Sequence, residues 1–214
     1  MARLRQVDLD PANVDADGIC AAQSAGGAGA LTLNGALTSG GVFTESGAFG
    51  RQISITSANN DSGITFTVTG TCPDGVAQTE AITGPNATTV EGASYFRTIT
   101  GISVSGATVG NITIGTVDEV ATKSYPLNAR SADAATIACD VTGTVNYTVQ
   151  EAFEDVLSMS SPAQNATWFN VSALASKTTD IASPISRGAS AVRLVFNSYT
   201  DGAEIQMNIS EGYI

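Results

Sequence analysis

"GITFTVTGTCPDGVAQTEAITG", residues 63–84, decides the fold. Ile64, Phe66 and Val68 alternate with Thr65, Thr67 and Thr69. That period of two marks a strand with one buried and one solvated face. Pro73-Asp74-Gly75 follows. Proline presets φ and Asp-Gly suits a tight reversal, so the chain turns back on itself. "AQTEAITG" then reads as a second, more polar strand, suited to the border of a sheet.

The same pattern extends in both directions. "RQISITS" places Ile53 and Ile55 on one face, and "GNITIGTV" adds Ile112 and Ile114. In "YFRTITGISVSG" Ile99 and Ile102 are out of phase, and Gly101 between them predicts a β-bulge. Asn34-Gly35 after Leu31 and Leu33 carries a hairpin signal. Further on, Ile137, Cys139 and Val141 share parity, as do Val145, Tyr147 and Val149. Val192, Leu194 and Phe196 form another set, as do Ile205, Met207 and Ile209, with Asp201-Gly202 as a hairpin turn between these two.

Composition agrees with strands. The 214 residues are 43% hydrophobic and only 14% charged, with 22 Gly. Abundant Thr, Val, Ile and Gly suit pleated surfaces joined by tight turns, whereas helices prefer Leu, Glu, Lys and Arg. The expected fold is all-β, with two antiparallel β-sandwich-like domains at residues 25–118 and 119–214. Residues 1–24 read as an extended N-terminal arm, with Leu4, Val7 and Leu9 as its early apolar groups. An arm that builds no core orders on a neighbour. Residues 153–183 read as a long loop carrying Trp168 and Phe169, and a short helix fits residues 151–157.

The net charge of −11, with nine scattered basic residues, disfavours nucleic acid and an anionic membrane as partners. Cys20, Cys72 and Cys139 are odd in number and far apart, so buried free thiols are expected rather than disulfides or zinc. "MARLRQVDLDPANVDADG" has no apolar core after its arginines, so no secretory signal is expected. No stretch reaches the length of an apolar membrane span.

The chain has no histidine, which removes the commonest general base and metal ligand. Asp15, Asp17 and Gly18 match part of a calcium loop but lack its remaining ligands. Asn59, Asn60 and Asp61 read as turn chemistry, because Asn and Asp bond their own backbone. Cys72 lacks the neighbouring base or cation that would activate it. Glu151, Glu154 and Asp155 form a local cluster and read as a solvated face, since glycosidases oppose carboxylates across a cleft. No catalytic residue, metal or cofactor is expected. Trp168 and Phe169 suit either an interface anchor or a plug beneath the loop.

Two stretches carry a resemblance: residues 60–116, with their order of Gly turns and Thr-rich strands, and "VTGTVNYTVQEAFEDVLSMSSPAQNATWF", residues 141–169, followed by "AVRLVFNS". Together they resemble small structural proteins of tailed bacteriophages and prophages. The Cys72-Pro73 turn departs from the Asp-Ala-Asp-Gly type of turn usual in that pattern. The resemblance implies a virion component made in the host bacterial cytoplasm, not an enzyme. The expected role is capsid decoration: copies, as trimers, bind the outside of the major capsid protein lattice. A head–tail connector, tail-tube or tail-tip component is the alternative, and a receptor- or glycan-binding module is the second. Leu4, Val7, Leu9, Trp168 and Phe169 are the interface residues this reading selects.

Overall fold

The computed structural model describes residues 3–128, 134–156 and 166–212. Strands make up 54% of it, and no α-helix occurs among the described residues. In chain order the first strands are β1 (Arg3–Leu9), β2 (Cys20–Gln23), β3 (Gly29–Ala30), β4 (Thr38–Ser39), β5 (Val42–Thr44) and β6 (Phe49–Ser57). They are followed by β7 (Thr65–Thr71), β8 (Ala77–Thr83), β9 (Thr89–Glu91), β10 (Thr98–Val104), β11 (Ile112–Thr122) and β12 (Tyr125–Pro126). The last are β13 (Thr136–Thr142), β14 (Val145–Ala152), β15 (Trp168–Asn170), β16 (Ile181–Pro184), β17 (Ala191–Tyr199) and β18 (Glu204–Glu211). They form three antiparallel sheets. The chain divides into two compact units: the first is Val14–Asp118, and the second joins Met1–Asn13 to Glu119–Ile214.

In the first unit, β7 and β8 are the hairpin of residues 63–84. They pair without a break from Thr65 opposite Thr83 to Thr71 opposite Ala77. The Cys72 N–H donates to the Val76 carbonyl and the Gly75 N–H to the Cys72 carbonyl, both at 2.9 Å. Gly75 has φ of +81°, a conformation a β-carbon opposes. β8 borders its sheet, as its polarity predicts. Phe66 and Val68 are buried with Ile53 and Ile55 of β6, Ile99 and Ile102 of β10, and Ile112 and Ile114 of β11. Each such side chain contributes about 1.5–3 kcal/mol by leaving water.

The bulge expected at Gly101 is present. Ile99 lies opposite Gly70 and Gly101 opposite Thr69, so Thr100 is the extra residue. It lets Ile99 and Ile102 both face the core. A β-carbon on Gly70 would lie 1.8 Å from the Thr98 carbonyl oxygen, so the strands approach this closely only because residue 70 is glycine.

Asn34-Gly35 does not form the expected hairpin. Its Asn34 Oδ1 accepts the Ala21 N–H at 3.1 Å, and the Gly35 N–H donates to the Ile19 carbonyl at 3.0 Å. A β-carbon on Gly35 would lie 2.2 Å from the Gly18 carbonyl carbon. Glycine allows this close approach, and its carbonyl accepts the Thr38 N–H at 3.0 Å in a turn that joins no hairpin.

In the second unit, one sheet has the order β1-β18-β13-β16. β17 lies in another sheet, between β14 and the end of β11, with β12 also on it and β15 bordering β14. Asp201-Gly202 is therefore not a hairpin turn: β17 pairs with β14, whereas β18 pairs with β1 and β13. The turn carries the chain from one sheet to the other. The passage from β13 to β14 does the same, with Gly143 at φ +83°. β17 is buried on both faces from Ala191 to Phe196, so its alternation does not mark a solvated side.

Residues 3–9 are not an extended arm. They form β1, which pairs with β18 from Arg3 opposite Glu211 to Leu9 opposite Ile205. Leu9 is buried, Val7 is half-buried, and Leu4, Gln6 and Asp8 face outward. Sequence concealed this because the partner strand lies at the other end of the chain. Further along the expected arm, Ile19 and Cys20 belong to the core of the first unit. The expected loop at 153–183 contains β15, a 3₁₀ turn at Ser172–Leu174 and the start of β16. Its positions 157–165 lie outside the described residues. Residues 151–156 are not helical: Glu151 and Ala152 complete β14.

Candidate interaction surface

Strand alternation separates the five residues selected from sequence. Leu9 is 1% exposed and belongs to the core, whereas Leu4 is 66% exposed on the opposite face of β1. On β15, Trp168 and Phe169 point to opposite faces. Trp168 is half-buried against Ala152, Val156, Ala166 and Ala191, and the Arg193 guanidinium lies 4.5 Å from its ring centroid. One face of the Trp168 ring is thus packed within its own unit. Phe169 is 51% exposed and meets Phe153 edge-on at 5.9 Å between ring centroids.

Phe153 is itself 48% exposed. It was not among the residues selected from sequence. Alternation did not single it out, because Val149 and Glu151 of the same parity are buried and Phe153 lies beyond the end of β14. The result is an aromatic pair at a sheet border formed by the three-residue strand β15. Gln6 and Asp8 on β1 are also exposed, beside Leu4 on the outward face of the strand. Both became surface groups only when β18 fixed which face of β1 turns outward.

The oxygen-rich turns act as braces. Asp61 is 1% exposed; its Oδ2 accepts the Ser57 hydroxyl at 2.6 Å and its Oδ1 the Val109 N–H at 2.7 Å. Asp15 Oδ1 accepts the Asp17 N–H at 3.2 Å. Glu151 is not part of a solvated face: it is buried and accepts the Ser186 N–H at 2.8 Å and the Ser186 hydroxyl at 2.6 Å. Glu154 turns elsewhere, accepting the Thr167 N–H at 3.3 Å. Asp8, Asp10, Asp140 and Glu204 line an open cleft at one end of the β1-β18-β13 surface. Among the described residues no group of His, Cys, Asp and Glu is arranged to hold a metal ion. No helix among them is long and apolar enough to cross a membrane.

All three cysteines are buried. Burial pushes the Cys20 thiol up to about 12. Burial likewise pushes Cys139 up to about 12, against the opposing effect of its hydrogen bond with Tyr147. A thiol that ionises at 9.0 when unfolded and near 12 when folded stabilises the fold fully below pH 9. That contribution declines as pH rises from 9 toward 12. Alkylation by iodoacetamide at pH 8 should therefore be at least about a hundredfold slower in the native chain than in urea, because attack needs exposed thiolate. Rapid native labelling of Cys20 or Cys139, read by peptide mass spectrometry, would contradict this burial.

No family model matches the chain, and no curated protein and no solved structure is significantly similar to it.

Proposed function

We propose that the protein is a structural component of a tailed-bacteriophage virion, most specifically a capsid decoration (cement) protein. In this reading two sandwich-like β units bind the outside of the major capsid lattice and bridge adjacent shell subunits. The observation that carries it is the exposed Phe153–Phe169 pair on the border strand β15. Exposed aromatics at a sheet border suit docking to a partner, where such side chains supply contact area at low entropic cost. The resemblance of residues 60–116 and 141–169 to phage structural proteins supports the choice of partner. Contacts made only with the expanded shell would stabilise that state by mass action, without any chemical step.

Quantitative densitometry of purified virions tests the reading. A decoration protein is expected at on the order of hundreds of copies per particle, because it repeats with the shell lattice. Fewer than about twenty copies would overturn it and favour a connector or tail component, whose closed rings use few subunits. Absence from the particle would overturn the virion assignment altogether.

A further inference from the structure

We infer that two copies of this chain associate through β1, edge to edge and antiparallel, about a two-fold axis. Among the described residues, β18 is the only strand that pairs with β1, so β1 borders its sheet. The strand runs seven residues in unbroken register with β18. Natural border strands are blunted by shortness, bulges, proline, charged side chains or a covering segment. β1 has neither bulge nor proline. Its charges, Arg3 and Arg5 toward one end and Asp8 toward the other with Asp10 just beyond, are of both signs, so a copy running the other way is not uniformly repelled.

Two-fold pairing places residues of like parity on one face, which limits the registers. Centring on Arg5 or on Asp8 opposes like charges and is unfavourable. Centring on Val7 avoids this. Val7 then meets Val7 on the inner face, and on the outer face Gln6 of each copy lies opposite Asp8 of the other. Each Asp8 already accepts the Gln206 amide at 3.1 Å and the Gln6 amide of its own chain at 3.5 Å. The second weak bond is readily exchanged for one across the axis. Arg5 of each copy then lies opposite Leu9 of the other on the inner face, so no like charges meet there. The complementarity is isologous: the same patch serves both copies. The pair differs from the trimer expected from sequence and does not depend on any position in a virion.

Sedimentation velocity on the full chain over a concentration series tests this, with circular dichroism as the check on folding. The unaltered chain is expected to sediment as a dimer at high concentration. Gln6→Glu places a carboxylate opposite Asp8 twice per dimer and should weaken association about tenfold at low salt. Adding Asp8→Lys to Gln6→Glu turns the repelling pair into an attractive one and should restore association. Centring on Gln6 instead would leave Glu opposite Glu in the double variant and give no recovery. A chain that is monomeric throughout the series overturns the inference. So does a dimer indifferent to Gln6→Glu, or one that the double variant fails to recover.

Discussion

Replacing Arg51 by methionine should lower the stability of the first unit by about 3–5 kcal/mol, the loss expected when one partner of a buried ion pair is removed. The Arg51 side chain is 0% exposed and that of Glu45 is 3% exposed. Nε donates to Glu45 Oε2 at 2.7 Å, Nη2 to Oε1 at 3.4 Å, and Nη1 to the Val117 carbonyl at 3.3 Å. The backbone is tied as well, since Arg51 and Phe96 exchange N–H to carbonyl bonds at 3.0 and 2.9 Å. Methionine keeps much of the stem's packing but leaves the Glu45 carboxylate buried without its cation. The combined variant Arg51→Met with Glu45→Leu should recover most of the loss, because the cost lies in the orphaned charge rather than in the absence of a salt bridge. Urea unfolding of the three proteins measures this. A single variant within about 0.5 kcal/mol of the parent would show that the pair contributes no more than a surface one.

Removing residues 1–9 should destabilise the second unit by roughly 4 kcal/mol. Leu9 is 1% exposed, and its burial alone is worth about 1.5–3 kcal/mol. Half-buried Val7 and the ladder to β18 add to this, and the deletion also uncovers the flank of Ile205 and Met207. For a chain of this length, 1 kcal/mol corresponds to about 2–4 °C in Tm, so a fall of roughly 8–16 °C is expected. Hydrogen exchange should locate the loss in β13 and β18, leaving β7 and β10 of the first unit protected. The extended-arm reading gives the opposite expectation, an intact fold with altered binding. An unchanged melting curve would therefore return β1 to that status.

The sequence by itself determined the all-β class and much of its local detail. Ile64, Phe66 and Val68 mark the core face of β7 because a strand alternates with period two, whatever it pairs with. Pro73-Asp74-Gly75 marks a turn because its backbone preferences are local. The bulge beside Gly101 was legible for the same reason, as a break in phase. Tertiary structure decided which strands became neighbours. Asn34-Gly35 and Asp201-Gly202 both carry turn chemistry, yet one docks against Gly18 and Ile19 and the other joins two sheets. A dipeptide specifies its own dihedrals but not its partner. The same limit hid β1, whose ladder lies at the far end of the chain, and the pairing of Arg51 with Glu45. It also left Trp168 and Phe169 undivided until β15 set the faces: Trp168 turned to Arg193 and the core, and Phe169 joined Phe153 in the solvent. Period two assigns residues to two faces; only the packing of one sheet against its surroundings decides which face is buried.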